Sequence, residues 1–220
     1  GVSPARHNIF DFLDRDLRTY LPRLSSSAVK GPRKFWRLGK FRIPLERGSA
    51  ELLRKSRPFW AILGEHQVNC TILRIPVTFP PEKFPGRVLS AMCTPDLKGS
   101  QGSFSCFTTR REQATYTGGG QYPLVRSPGG LEGSLEGPEN LFDAAGGTLR
   151  IPFRVTENLE LRIQGTVHRL VPGEYSPWIR LAFRTRLGVK ASGIARFLVT
   201  EAGPEFSLYV TPVNIDPENP

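Results

Sequence analysis

PFWAILGEHQVNCTILRIPVTFPP, residues 58–81, reads as one helix, a tight turn, one buried strand and an abrupt proline stop. Ser56 is placed to cap the helix and Pro58 suits its first turn, while Phe59, Ile62 and Leu63 recur at i, i+3 and i+4 as one apolar stripe. Gly64 ends it. From Val68 to Val77 the chain is rich in β-branched and apolar residues at both parities (Cys70, Ile72, Leu73, Ile75, Val77), the pattern of a strand covered on both faces. Pro80 and Pro81 cannot continue a ladder, so the chain leaves the sheet at the strand's carboxyl end, where open α/β sheets place ligands.

Towards the N-terminus the signals weaken. Residues 1–27 fit neither a 3.6 nor a 2.0 period and predict a strand or loop and a short turn of helix. Residues 28–48 read as an extended excursion, and Ser49 is a plausible cap for a short helix over Ala50–Lys55. Past Pro81 the chain is mostly loop, with short strands predicted at Val88–Met92 and Phe104–Thr108. Between Thr115 and Gly147 the glycine and proline clusters predict turns between short strands, or a connection. Beyond it the alternation is clear. Leu149, Ile151, Phe153 and Val155 alternate with Arg150, Pro152, Arg154 and Thr156, and Leu159, Leu161 and Ile163 repeat the theme. Ile179–Phe183 and Phe206–Val210 follow it too, with Ile194–Thr200 as a more buried strand between them and turns at Gly165, Pro172-Gly173, Gly188 and Gly203-Pro204. This half reads as an antiparallel β unit with one wet face.

With 220 residues, 39% of them hydrophobic, the chain can bury a sizeable core and is not of disordered composition. No run of eighteen apolar residues suggests a membrane-spanning helix. The chain starts without Met and ends on Asp216-Pro-Glu-Asn-Pro220, the expectation being a piece of a longer polypeptide. Cys70, Cys93 and Cys106 are too few and too far apart for a zinc ribbon, and read as free thiols. The formal charge of +10 is local: residues 1–60 hold 14 Lys and Arg against 5 Asp and Glu, while 61–220 hold 16 against 15. The basic run between Lys30 and Arg57, interleaved with Phe35, Trp36, Phe41 and Ile43, is either a solvated surface or a footprint for phosphate groups, RNA or an anionic membrane.

The catalytic inventory is thin. His7, His66 and His168 stand apart, there is no G-x-S-x-G or P-loop, and Gly118-Gly119-Gly120 precedes no helix.

Four stretches in order carry a family likeness. Gly1-Val-Ser-Pro4-Ala-Arg-His7-Asn-Ile9-Phe-Asp11 resembles the G-x-x-P-x-x-H-G-I-x-D segment of the alkaline phosphatase superfamily, in its type I phosphodiesterase/nucleotide pyrophosphatase branch. Pro58-Phe-Trp60-Ala-Ile-Leu63-Gly64 is similar to that branch's W-x-x-L helix, and Arg74-Ile-Pro76-Val-Thr78-Phe-Pro80-Pro81 to its V-P-V-T-[YF]-P-P strand end. Ser90–Asp96 resembles the loop that follows in prokaryotic members.

The resemblance implies an α/β fold: an incomplete alkaline-phosphatase-like α/β core over residues 1–109, a Gly/Pro-rich connection over 110–147, and a mostly antiparallel β-rich insertion over 148–220. It implies a metal-dependent phosphohydrolase, a phosphodiesterase or phosphatase using two divalent metal ions, usually zinc, on a phosphate-ester substrate. Nucleophile and metal ligands fall outside this stretch, which is expected to bind no metal, to be inactive alone and to have no specific nucleic-acid partner. Catalytic residues are therefore none, and the substrate-proximal positions are His7, Asp11 and Phe12. Phe12 stands where nucleotide pyrophosphatases carry an Asn whose amide holds a phosphoryl oxygen, and an aromatic ring cannot donate that bond. Asn8 replaces a glycine, and Asn tolerates the left-handed backbone. The alternative is a non-enzymatic basic module in which Lys30–Arg57 and Arg150, Arg154, Arg180 and Arg184 contact nucleic acid or an anionic membrane surface.

Overall fold

A computed structural model of the chain describes residues 3–18, 20–46, 49–90, 94–100 and 102–216. They fall into two compact units, one of residues 1–35 and 44–94, the other of residues 36–43 and 95–220.

The first unit opens with α1 (Pro4–His7), followed by the antiparallel pair β1 (Leu13–Arg15) and β2 (Pro22–Leu24). β3 (Ser27–Lys30) comes next. β4 (Phe35–Leu38) and β5 (Phe41–Pro44), which form a two-stranded sheet, fall almost wholly in the second unit. β6 (Ser49–Leu52) pairs antiparallel with β3, so Ala50–Lys55 is not the short helix that Ser49 suggested. α2 (Phe59–Glu65) leads to β7 (Cys70–Leu73), which pairs in parallel with β8 (Gly86–Leu89). Met92, the expected end of that last strand, lies outside the described residues.

The α/β expectation is overturned. Among the described residues strands take 46% and helix 5%, so this is a β-rich fold and not an alkaline-phosphatase-like α/β core. The reason lies in the stretch over 58–81. α2 has only seven residues and starts after Pro58 with no side-chain cap, Ser56 included. It buries Trp60 and Gly64, whereas Phe59 and Ile62 of the expected stripe face solvent. The expected strand to Val77 stops at Leu73. Arg74 (φ 55°) and Val77 (φ 63°) take left-handed backbone, which breaks a ladder. Ile72 is buried, but Leu73 and Ile75 are exposed, so nothing covers both faces. The Phe79–Pro80 bond is cis.

The second unit holds β9 (Phe104–Thr108), β10 (Gly119–Pro123), β11 (Val125–Ser127), β12 (Gly130–Glu139), β13 (Thr148–Val155), β14 (Glu160–Ile163) and β15 (Thr166–Arg169). These are followed by β16 (Ile179–Arg184), β17 (Lys190–Ala195), β18 (Phe197–Ala202), β19 (Phe206–Val210) and β20 (Asn214–Ile215). They form three sheets, ordered β10-β9-β19-β18, β11-β12-β13-β14-β15 and β16-β17-β20, antiparallel except for β9 with β10. The glycine-rich stretch is thus largely strand, β10 to β12.

One core joins the three sheets. β13 alternates exposed and buried at every residue, so Leu149, Ile151, Phe153 and Val155 point inward together. Phe153 meets Phe107 of β9 edge-on at 4.8 Å and Phe197 of β18 at 6.4 Å, which ties the five-stranded sheet to the four-stranded one. Ile179, Leu181 and Phe183 of β16 close the same cluster. The run Ile194–Thr200, expected as one strand, is two: β17 and β18 lie in different sheets and the chain crosses between them at Arg196. Arg196 is held there by bonds to the carbonyls of Ser176 (2.7 Å) and Tyr175 (3.3 Å).

Candidate functional site

Residues 3–12 are shaped by proline and asparagine. Pro4 takes the first turn of α1, and Asn8 closes it with φ 64° while its N–H donates to the Pro4 carbonyl at 2.8 Å. The His7 Nδ1 accepts the Ile9 N–H at 3.2 Å, which leaves the proton of the neutral ring on Nε2. Asp11 accepts the Phe12 N–H on Oδ1 at 2.6 Å, and the Ser25 hydroxyl donates to its carbonyl. Phe12 is half exposed. His7 ends α1, and Asp11 and Phe12 lie in the loop that follows it, with the imidazole and the carboxylate each engaged by a neighbouring backbone N–H.

The end of α1 is docked on the segment before α2. The Lys55 N–H donates to the His7 carbonyl at 3.1 Å, and the Asn8 amide reaches the Leu53 carbonyl at 3.5 Å. Between them, Arg54 places its guanidinium over the Trp60 ring, 5.4 Å from the centroid, and pairs with Glu82 just beyond Pro81. Its side chain is only 11% exposed, and its Nε–H is buried without a hydrogen-bond partner among the described residues. Leu53–Lys55 thus joins the first two stretches that carry the resemblance, and through Glu82 the residue that follows the third. Thr78, buried in the third, donates to the Ile75 carbonyl at 2.7 Å, and its own carbonyl accepts from Ser90 Oγ at 2.6 Å. Its role is to shape the turn after β7. Arg54 was missed in the sequence because one arginine among fourteen basic residues carries no local signal.

The donor set does not fit a two-metal centre. Among the described residues no three of His, Cys, Asp and Glu lie together as metal ligands. His66 caps α2 through its backbone, and His168 shares a hydrogen bond with Thr166 Oγ1 at 2.9 Å. Cys70 and Cys106 are free and half-buried, and Cys93 lies outside the described residues.

The charges of the second unit are largely answered in place. Arg150 pairs with Glu136 (2.6 Å), Arg154 with Glu132 (2.5 Å) and Arg162 with Glu160 (3.1 Å). Arg180 lies 3.8 Å from Asp216, whereas Arg184 stands opposite Lys190 in the register. Arg110 holds both Glu201 (2.6 Å) and Glu205 (2.7 Å). The Arg110 guanidinium keeps the Glu201 carboxyl below its ordinary range, and Arg154 does the same for Glu132. Burial, with Glu136 beside it, pushes the Tyr122 phenol up. The cross-strand pairs follow from Glu132 and Glu136 on β12 facing Arg154 and Arg150 on β13.

By class this is a β-rich protein whose second unit wraps three sheets around a single core. No family model, curated protein or solved structure matches the chain.

Proposed function

We propose that this chain is part of a metal-dependent phosphate-ester hydrolase, to which it contributes architecture and recognition while the chemical step belongs to residues outside this stretch. The observation that carries the reading is the convergence on Leu53–Lys55. The first two of the stretches resembling motifs of one hydrolase branch are some fifty residues apart in sequence, yet each is bonded to or stacked on the same three-residue segment, and Glu82, next after the Arg74–Pro81 stretch, pairs with Arg54 there. Arg54 is the joint. The test is turnover of bis(p-nitrophenyl) phosphate and p-nitrophenyl phosphate by the complete encoded polypeptide. Hydrolysis that is lost with a chelator and restored by zinc or manganese supports the proposal; chelator-insensitive hydrolysis, or none, refutes it.

A second reading, binding to a polyanion, draws its support from one place. The β4–β5 hairpin carries Arg37 and Lys40 beside a half-exposed Trp36, a pairing of charge and ring suited to phosphate and base. The β-unit arginines favour it less, because Arg150 and Arg154 are already paired with glutamates. Salt-dependent retention on heparin, abolished by Trp36→Ala with Arg37→Ala, would favour this reading.

A further inference from the structure

We propose that the cleft at one end of the second unit is a binding site for a small amphipathic anion, an apolar body bearing an oxyanion head. The cleft encloses about 450 Å³, the volume of a small-ligand site. It opens between two of the sheets, where the β11–β12 turn, the end of β13 and the β18–β19 turn meet. Its floor is apolar: Leu131, Val155, Leu159 and Phe206. The polar groups stand on the rim, with Arg126 and Ser127 on one side and Glu157 also present.

The walls are fixed in place. Gly130 runs at φ 123°, and a Cβ there would collide with the Val155 carbonyl, so the turn into β12 presses against β13 because residue 130 is glycine. Leu159 is held in left-handed backbone (φ 57°), unusual for a leucine. Three bonds impose it: its N–H to the Thr156 carbonyl (3.0 Å), the Thr156 N–H to the Glu160 carbonyl (3.0 Å), and the Leu170 N–H to its own carbonyl (2.8 Å).

The head group follows from Arg126. Its Nη2 donates to the Pro204 carbonyl at 2.9 Å, which braces the side chain across the cleft mouth. Unlike Arg110, Arg150 and Arg154, it has no carboxylate at ion-pairing distance among the described residues, so a guanidinium with donors to spare lies on the cleft lining. The site lies wholly within the second unit and does not rest on the phosphate-ester reading.

The probe is 8-anilino-1-naphthalenesulfonate, an aromatic body with a sulfonate, titrated into the intact chain beside the uncharged N-phenyl-1-naphthylamine. The expected result is saturation at a single dye per chain. Ala202→Trp, at the exposed mouth, should weaken both dyes by about tenfold or more. Arg126→Met should weaken the sulfonate by about tenfold and leave the neutral dye within about twofold, and Arg126→Lys should restore most of the loss. Near-UV circular dichroism and the thermal midpoint confirm that each variant is folded; Arg126→Gln replaces Arg126→Met if the latter is not. Uptake that does not saturate at a single dye, or affinities that neither substitution changes, overturns the site. Equal losses of both dyes in Arg126→Met, or no rescue by lysine, overturns the assignment of the head.

Discussion

Phe153→Ala should lower the unfolding free energy of the second unit by about 3–5 kcal/mol, the cost of emptying a large aromatic site in a packed core. The ring is 4% exposed and sits where two sheets meet, edge-on to Phe107 at 4.8 Å and near Phe197 at 6.4 Å. Such aromatic pairs add about 0.5–1.5 kcal/mol beyond area alone, which puts the loss toward the upper part of that range. Collapse gives little relief, because the residue opposite in the register is Gly133, whose bare Cα makes room for the ring but offers nothing to fill the void. A domain is stable by only about 5–15 kcal/mol, so the loss is a large fraction of the total. Urea denaturation followed by near-UV circular dichroism, with hydrogen exchange at β12 and β13 as a local probe, reads the effect. The control is Phe59→Ala, a ring 62% exposed on α2, expected to cost under about 1 kcal/mol. Equal midpoints for the two variants would refute the placement of the core.

Trp60→Ala should cost about 3–5 kcal/mol in the first unit, since the buried ring also carries the Arg54 guanidinium, against well under 1 kcal/mol for the exposed Lys55→Ala; equal denaturation midpoints would contradict this. Arg110 depresses the folded pKa of Glu201, so the pair stabilises the fold above the ordinary glutamate pKa and that contribution fades as pH falls through the lower folded value. Wild type should therefore exceed Glu201→Gln in stability near pH 7 and converge with it from about pH 4.3 downward, and a difference constant through that window would refute the linkage. In the complete polypeptide, Phe12→Asn should raise turnover of nucleotide diesters relative to monoesters, because one well-aimed donor at a developing phosphoryl charge contributes about 2–4 kcal/mol. Phe12 is half exposed, so the exchange disturbs no core, and an unchanged preference would remove this position from the site.

What was legible in the sequence was what strand period records. Leu149 to Val155 alternates in the sequence and in burial alike, because β13 packs one face on a core and gives the other to Arg150 and Arg154. Period fails when a single residue redirects the chain. Arg196 looks like one more polar residue between Ile194 and Leu198, yet it marks the crossing between sheets, and that depends on distant carbonyls at Ser176 and Tyr175. The stretch over 58–81 misled for a related reason. Its apolar content reads as a doubly covered strand, whereas left-handed backbone at Arg74 and Val77, which neither residue type signals, ends β7 after Leu73 and leaves one partner strand. At the candidate site, the nearness of His7, at the end of α1, to Asp11 and Phe12 follows from their closeness in sequence. The docking of that end on Leu53–Lys55 rests on a contact 45 residues apart in sequence, and the ion pair of Arg54 with Glu82 on one 28 apart, which no local pattern encodes.

The most direct test of the proposed division of labour compares the 220-residue chain with the complete polypeptide on bis(p-nitrophenyl) phosphate under identical conditions, before and after chelation. No turnover above buffer is expected for the chain alone, and metal-dependent turnover for the complete protein. Robust turnover by the chain alone would contradict it, by placing the chemistry in these residues.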